Sequence, residues 1–395
     1  MTREEILNTA LQIKSNNICL NLATGTGKTY IALKLIQEKV KGLLVYDILI
    51  VVPKNVLKDE WIKEIKKWNM EELIPHITFS TYVSLSKYAC NPFTVRIFDE
   101  AHHLTERCID ALSLSSYKDL QNILLSATIK RSQWILIRKV FPNIYTLKVD
   151  IKDAINNNIL PDPEVLLIPL RLDKINQKQI YIKRKSAKKI VRCYYKDRWK
   201  YLRDKSLQVQ IYCSECEYYE LLEGDYVTAT NQCREIWKRQ LAIQRLKWLS
   251  EIKTSFMLNL LKLLKNERTL TFCHSIEQCE KLGSYPIHSG DKQLIENLKK
   301  FNNGEINHIT SCNILQEGAN ITNLNVGIFA NINSSSLAIA QKTGRLLRHE
   351  KPVIIIPYYE GTREEEIVKD KILEQFNQEK IHIINYLNEI KSYLK

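Results

Sequence analysis

The chain contains 395 residues, of which 45% are hydrophobic, and its formal net charge is +14. This length exceeds what one ordinary hydrophobic core supports, so we expect two or three domains, and the composition excludes a disordered chain. Ten scattered cysteines, with apolar runs that stay below about 18 residues, exclude a secreted disulfide scaffold and a membrane-spanning protein. We therefore expect a cytoplasmic protein without a membrane partner.

A glycine-rich turn follows the first apolar strand of the chain. Residues 1–16 have the pattern of a short helix, residues 18–22 that of a buried strand, and an amphipathic helix begins at Thr29. A strand, a glycine-rich turn with Lys-Thr and a helix are the parts of a phosphate-binding loop. In such a loop Lys28 reaches the β- and γ-phosphates, and the Thr29 hydroxyl ligates Mg²⁺. The predicted nucleotide-binding residues are Thr24, Gly25, Thr26, Gly27, Lys28 and Thr29.

Four further apolar strands are expected within 48–52, 76–85, 95–104 and 122–128. Helical patterns of about ten to fifteen residues separate them, which predicts βαβ units and a parallel, doubly wound sheet. Ligands bind beyond the carboxyl ends of the strands in such sheets. The glycine-rich turn, the Asp-Glu pair after the strand at 95–98 and the SAT segment at 126–128 all fall there.

Asp99 and Glu100 follow an apolar strand and form the candidate hydrolytic pair. An acid at this position can hold Mg²⁺, and a neighbouring glutamate can polarise the attacking water. A helix cap or a solvated turn is the alternative interpretation of the pair taken alone, and the upstream phosphate loop favours the catalytic one. His102 and His103 are adjacent, so their side chains point in different directions and do not suggest a metal site.

The order of these segments resembles the motifs of superfamily 2 helicases and translocases. The first group comprises ATGTGKT (23–29), VVPKNVLKDEW (51–61), TFSTY (78–82), FDEAHHL (98–104) and SAT (126–128). The second group comprises LTFCHS (270–275), NILQEGANI (313–321) and QKTGRLLRH (341–349). The segments PKNVLKDEW (53–61) and GANI (318–321) resemble those of the branch that includes phage recombination and repair helicases and type III restriction motors.

This resemblance implies an ATP- and Mg²⁺-dependent motor that acts on DNA, with RNA a less favoured partner. The residues that it assigns to catalysis are Lys28, Asp99, Glu100, Gln341, Arg345 and Arg348. Asp99 and Gly318 join the nucleotide-binding set, and Thr29 and Asp99 are the Mg²⁺ ligands. Coupling of hydrolysis to movement is assigned to Ser126, Ala127, Thr128 and Asn320.

The implied fold is α/β, with two RecA-like doubly wound parallel-sheet motor domains and a basic, partly helical insertion. The first motor domain is expected at 1–150, a linker and the first strand of the second domain at 151–170, the insertion at 171–252, and the rest of the second domain at 253–395. A helix is expected at 255–266. The segment 358–376 and the C-terminal segment that begins at residue 380 are expected to form two outer helices.

The insertion carries most of the positive charge of the chain. Residues 171–205 hold 14 Lys or Arg against 3 Asp or Glu, and aromatic residues alternate with them. These aromatic residues are Tyr181, Tyr194, Tyr195, Trp199 and Tyr201. Basic groups neutralise phosphates and aromatic rings stack on unpaired bases, which favours nucleic-acid binding, and a lysine-rich exposed helix is the alternative.

A C-x-x-C pair and two single cysteines lie in the same insertion: Cys193, Cys213, Cys216 and Cys233. Four thiolates could hold a structural Zn²⁺. Only the pair has the spacing of a zinc ligand pair. Redox chemistry is a less favoured alternative, because no thioredoxin-like βαβ pattern surrounds the pair.

Two departures from the family pattern concern specificity. No R-x-x-Q element precedes the phosphate loop to bind adenine, although Arg3 or Gln12 could serve, and Asn320 stands where many relatives have Asp. The alternatives to a DNA motor are a DEAH-type RNA helicase and a nucleic-acid-binding scaffold with a vestigial ATPase. A protein partner is open, and the Lys-, Asn- and Ile-rich composition suggests an AT-rich viral or phage genome.

Overall fold

The computed structural model describes residues 1–114, 121–172, 231–283, 285–288, 293–312, 321, 323–332, 336–347 and 350–394. Every statement below concerns these residues. None of the helices within these ranges is long and apolar enough to span a membrane.

The first sheet contains six parallel strands in the order β3-β2-β4-β5-β1-β6. The strands are β1 (Asn17–Leu22), β2 (Ile48–Val52), β3 (Ile77–Thr81), β4 (Val95–Phe98), β5 (Gln121–Ser126) and β6 (Tyr145–Val149). The five strands expected from the sequence are confirmed, with β2 at the expected bounds. Strand β6 was not expected, and it pairs with β1 beside the phosphate-loop strand.

Helices pack on both faces of this sheet. They are α1 (Arg3–Leu11), α2 (Lys28–Val40), α3 (Val56–Lys67), α4 (Glu106–Ser113), α5 (Arg131–Val140) and α6 (Ile151–Asn156). Leu20 of β1 faces a core formed with α1, α2 and α3, whereas its neighbour Cys19 faces a core formed with α4 and α5. Successive side chains of a strand point to opposite faces, so a strand that is apolar throughout is buried on both sides. The first domain is therefore doubly wound, as predicted.

The second sheet contains seven parallel strands in the order β13-β7-β12-β11-β8-β10-β9. They are β7 (Glu164–Leu170), β8 (Thr269–Phe272), β9 (Pro286–Ile287), β10 (His308–Ser311), β11 (Val326–Phe329), β12 (Val353–Tyr359) and β13 (Ile381–Ile383). The helices of this part are α7 (Asn231–Leu263), α8 (Ile276–Leu282), α9 (Leu294–Asn302), α10 (Ser336–Leu346) and α11 (Arg363–Ile367). Two parallel-sheet α/β domains are thus confirmed.

The C-terminal segment differs from the sequence-based expectation. The predicted terminal helix is wrong, because the segment forms strand β13 and then a 3₁₀ helix at Leu387–Tyr393. Strand β13 pairs with β7 at the edge of the second sheet, and Glu164 of β7 accepts hydrogen bonds from Lys380 (2.6 Å) and His382 (2.7 Å). These long-range contacts outweigh the local helical spacing.

The other predicted outer helix is shorter than expected. Strand β12 continues to Tyr359, helix α11 spans Arg363–Ile367, and a π-helical turn and a 3₁₀ turn complete the segment to Gln375. Helix α7 covers most of the helix predicted at 255–266, but it ends at Leu263 and begins much earlier, at Asn231. It therefore runs without interruption across the boundary expected between the insertion and the second domain, and the domain limits remain a prediction.

A buried ion pair attaches helix α7 to the second sheet. The Lys253 ammonium donates to both carboxylate oxygens of Glu364, at 2.8 and 2.9 Å, and to the Pro357 carbonyl oxygen at 3.0 Å. The exposed fractions of the two side chains are 0% and 2%. Glu364 also accepts from the Tyr359 backbone N–H at 3.1 Å. The pair thus connects α7, the end of β12 and the start of α11.

Removal of one charge from this pair should destabilise the second domain strongly. Lys253→Met retains most of the side-chain volume and leaves Glu364 as an uncompensated buried charge, so we expect a loss of about 3–5 kcal/mol in the free energy of unfolding. Urea unfolding followed by circular dichroism measures this change. The matched control is Lys281→Met, which breaks an exposed pair with Glu277 and should cost less than about 1 kcal/mol. Equal effects of the two substitutions would contradict the structural role of the Lys253–Glu364 pair.

Candidate functional site

The glycine-rich turn between β1 and α2 is the first element of the candidate site. Gly25 and Gly27 have φ angles of +91° and +93°, in the left-handed region that glycine adopts without strain. Thr26 Oγ1 donates to the Ala23 carbonyl oxygen at 2.7 Å, and the Lys28 ammonium donates to the Leu22 carbonyl oxygen at 3.0 Å. Helix α2 begins at Lys28, so its N-terminal N–H groups face the concave side of the turn.

Asp99 and Glu100 lie directly after β4, at the same edge of the sheet. Glu100 has a φ of +51°, which is uncommon for a residue with a side chain. Asp99 is half-buried, and this desolvation, together with the neighbouring Glu100 charge, raises the pKa of the Asp99 carboxyl to about 7. The Trp61 indole and the Lys28 ammonium act in the opposite direction. The two acids and Lys28 therefore form one electrostatic unit.

His102 connects these acids to the end of β5. Its Nδ1 atom lies 3.3 Å from Glu100 Oε2 and 3.2 Å from Ser126 Oγ. Ser126 Oγ in turn donates to the Thr128 carbonyl oxygen at 3.0 Å. The Asp-Glu segment and the SAT segment are thus joined by a chain of polar contacts. The sequence did not identify His102 as a site residue, since its only assessed role there was that of a metal ligand.

The two sheets face each other across a cleft of about 1200 Å³. The first domain contributes the predicted residues Thr24, Gly25, Thr26, Gly27, Lys28, Thr29, Asp99 and Glu100. The second domain contributes Arg345 from α10, together with Leu347 and Glu350. Arg345 is 7% exposed. The structure therefore brings Arg345 to the same cleft as the phosphate loop, although more than 300 residues separate them in the chain.

Helix α10 approaches the phosphate loop closely at Gly344. A Cβ atom added to Gly344 would lie 2.4 Å from the Cβ atom of Thr24, far inside van der Waals contact. Only glycine permits this approach, and the next residue of the helix is Arg345. The glycine of the QKTGR segment thus has a steric role that the sequence did not reveal.

Other groups that line the cleft could contact a nucleobase. Arg3, Glu4 and Leu7 of α1 line it, and the Arg3 guanidinium donates to the Ile159 carbonyl oxygen at 3.1 Å. Gln12, the other residue considered for adenine binding, caps the far end of α1 and does not line the cleft. The Tyr30 and Trp68 rings also line it, with centroids 4.2 Å apart.

The cleft residues suit a magnesium–nucleotide complex. Thr29 and Asp99 supply the hydroxyl and carboxylate oxygens that Mg²⁺ prefers. Glu100 Oε2 is buried, and beyond its 3.3 Å contact with His102 Nδ1 it has no partner with hydrogen-bond geometry among the described residues. Neighbouring carboxylates next to a phosphate-binding turn are stabilised by a divalent cation, because it offsets their mutual repulsion.

Several predicted site residues cannot be placed. Gln341 is part of α10, but its side chain lies outside the described structure, as do Gly318, Asn320 and Arg348. The same holds for Cys193, Cys213 and Cys216, whereas Cys233 is part of α7 without a described side chain. The ranges that the structure covers contain no group of three or more residues that could hold a metal ion. The zinc interpretation therefore has no structural support.

Two family models match the chain in tandem. Residues 3–131 match the model of the type III restriction enzyme, res subunit, and residues 252–350 match the helicase conserved C-terminal domain. A search of curated protein sequences finds no match.

Solved structures with the same fold include both RNA- and DNA-bound proteins. S. cerevisiae Dbp5 bound to RNA and ADP BeF3 is 14% identical, with a TM-score of 0.62 over 100% of this chain and 93% of that one. The Pyrococcus furiosus Hef helicase domain is 14% identical, with a TM-score of 0.51 over 94% of this chain and 97% of that one. The type ISP restriction-modification enzyme LlaBIII bound to DNA is 13% identical, with a TM-score of 0.54 over 99% of this chain and 32% of that one.

At these identities the structures show a shared RecA-like fold, and the two family models occur in the order of the two sheets. Together with the motifs at 23–29, 98–104 and 341–349, the two family models support a superfamily 2 protein of the helicase and restriction-motor type.

Proposed function

We propose that this protein is an ATP-dependent DNA helicase or translocase that couples ATP hydrolysis to movement on DNA. The observation that supports this proposal is the composition of one cleft. The phosphate loop and the acids Asp99 and Glu100 line it from one domain, and Arg345 lines it from the other. A site divided between two domains changes shape when the domains move, so occupancy of the nucleotide can drive movement.

Each cleft residue has a role in hydrolysis that follows from its chemistry. The turn and the N-terminus of α2 bind the phosphates through backbone N–H groups, and Lys28 neutralises their charge. Thr29 and Asp99 would hold Mg²⁺, which when bound supplies charge neutralisation of the β- and γ-phosphates. Glu100 accepts a proton from the attacking water, and this proton transfer makes the water a better nucleophile.

Arg345 would stabilise the negative charge that develops on the γ-phosphate. A positioned guanidinium of this kind contributes about 10³–10⁵ in rate in related phosphoryl-transfer enzymes. Gln341 and Arg348 are assigned to the same task by the resemblance of the segment QKTGRLLRH (341–349) to the superfamily 2 motif. Because Arg345 belongs to the second domain, hydrolysis depends on the approach of that domain to the phosphate loop.

The contacts of His102 offer a route from hydrolysis to movement. His102 Nδ1 lies within 3.3 Å of both the Glu100 carboxylate and the Ser126 hydroxyl. A change in charge at Glu100 therefore alters the hydrogen bonding of Ser126, Ala127 and Thr128 at the end of β5. Asn320 is the corresponding candidate in the second domain.

Two observations favour DNA over RNA: the motif sequences resemble those of DNA motors, and residues 3–131 match a type III restriction enzyme subunit. The net charge of +14, concentrated in the predicted insertion, suits either polymer. A DEAH-type RNA helicase is the second candidate, since an RNA-bound protein shares the fold. A scaffold with a vestigial ATPase is less favoured, because Lys28, Glu100 and Arg345 are all present.

ATP hydrolysis should be stimulated by DNA and should depend on Lys28. We expect single- or double-stranded DNA to raise the rate more than RNA does, with less stimulation at higher salt because phosphate contacts release counterions. Lys28→Ala should lower the rate at least about 100-fold, because the phosphates lose a charge that the transition state requires. A phosphate-release assay with no polymer, single-stranded DNA, double-stranded DNA and RNA measures both effects.

The matched control is Lys39→Ala, which removes a lysine from the last turn of the same helix, outside the cleft. It should leave the rate within about twofold, as expected for a surface substitution. Stimulation by RNA alone would replace the DNA proposal with the second candidate. A Lys28→Ala protein as active as the wild type would refute the assigned site.

Gly344→Ala should reduce the turnover number of the ATPase. The added methyl group collides with Thr24, so α10 must move away from the phosphate loop and take Arg345 with it. We expect at least about a tenfold loss in kcat, since part of the arginine contribution is lost. The affinity for a fluorescent ADP analogue should change much less, because the phosphate loop itself is intact.

The double variant Gly344→Ala with Thr24→Gly tests whether this collision is the cause. Removal of the Thr24 side chain gives the new methyl group space, so kcat should recover in part relative to Gly344→Ala. An unchanged kcat in Gly344→Ala would show that close approach of the helix is not required.

A further inference from the structure

Asp99 is held by two aromatic hydrogen-bond donors from separate segments of the chain. The Trp61 indole Nε1–H, from α3, donates to Asp99 Oδ2 at 2.9 Å. Tyr82 directly follows β3, and its hydroxyl donates to the Asp99 backbone carbonyl oxygen at 2.7 Å. Both rings are enclosed, with exposed fractions of 2% for Trp61 and 9% for Tyr82. Side chain and backbone of the same acid are therefore each fixed by one aromatic residue.

These two contacts restrict how the Asp99 carboxylate can turn. A carboxylate has a soft terminal torsion, so a donor on one oxygen selects one orientation of the group. The indole N–H is a donor only. The Trp61 ring cannot rotate away from Asp99, because it is part of the hydrophobic core that α3 shares with α1 and α2. A hydrogen bond to an ionised acceptor is also about twice as strong as one between neutral groups.

Two interpretations of Trp61 predict different chemistry. If the ring only fills the core, its nitrogen is incidental, and an aromatic residue without N–H would serve as well. If the nitrogen orients Asp99, its loss frees the carboxylate while the packing stays. The 2.9 Å distance to Oδ2 and the position of Trp61 on the wall of the nucleotide cleft favour the second interpretation.

We propose that Trp61 is a positioning residue that holds the Asp99 carboxylate in the orientation that binds Mg²⁺–nucleotide. The Tyr82 hydroxyl supports the same acid by donating a hydrogen bond to the Asp99 backbone carbonyl oxygen. This inference rests on the proposed function, because it assumes that Asp99 contributes to the magnesium site. Groups that orient metal-binding carboxylates through hydrogen bonds typically change metal affinity or activity by 10–100-fold when removed.

The test is Trp61→Phe, which keeps an aromatic ring in the core and removes the N–H donor. We expect the MgCl₂ concentration for half-maximal ATP hydrolysis to rise about tenfold, with most of kcat recovered at saturating MgCl₂. The second readout does not depend on turnover. The affinity for methylanthraniloyl-ADP should increase less on addition of MgCl₂ than it does in the wild type, while the affinity in EDTA should stay the same.

Trp134→Phe is the matched control, because it makes the same substitution on α5 outside the cleft. It should leave both magnesium titrations unchanged. Tyr82→Phe should shift them less than Trp61→Phe does, since the tyrosine contacts the backbone and not the carboxylate. Thermal unfolding of each variant shows that it is folded under the assay conditions.

Two outcomes would overturn the inference. One is a Trp61→Phe protein with lower kcat and an unchanged magnesium dependence, which would indicate a packing role alone. The other is an equal magnesium shift in Trp134→Phe. Both are distinct from failure of the proposed function, which would appear as a wild-type protein without ATP hydrolysis or without magnesium-dependent binding of the ADP analogue.

Discussion

Two neighbouring carboxylates beside a lysine ammonium are the electrostatic constraint on which the rest of the cleft depends. Desolvation and, after it, the charge of the neighbouring Glu100 both disfavour the ionised form of Asp99, and the raised pKa of this carboxyl reports that cost. The fold places two compensating groups at the same edge of the first sheet: Lys28 at the start of α2 and the Trp61 indole. Parallel strands make this convergence possible, because their carboxyl ends share one edge.

The second domain reaches the candidate site by a close approach of the α10 backbone to the Thr24 side chain. Gly344 lets α10 reach Thr24, and one hydrophobic cluster continues from Leu20 of the first sheet to Leu270 of the second. Packed interiors are stiff, so a displacement at this contact is transmitted to whole elements. Helix α7 is attached to the same domain by the Lys253–Glu364 pair. The Gly344–Thr24 contact and the position of α7 are therefore linked through the second domain.

The sequence predicted those parts of the fold that depend on local pattern. The five expected strands of the first sheet are short apolar runs next to turn residues, and a buried parallel strand requires this pattern. Two edge strands were missed: β6 is largely exposed, and β13 is specified by its pairing with β7. The phosphate loop and the Asp-Glu pair were predicted as motifs. The contacts of Trp61 and Gly344 were not, because their partners lie 38 and 320 residues away in the chain.

The backbone conformation of Glu100 lowers the stability of the folded protein. Its left-handed backbone conformation, with a φ of +51° and a ψ of +56°, is one that glycine adopts freely and that a glutamate adopts at a cost of about 1–3 kcal/mol. A glycine at this position would relieve the backbone and remove the charge repulsion with Asp99 at the same time. The backbone at this position would therefore be more stable without the proposed catalytic base, and selection for thermal robustness alone would act against the proposed activity.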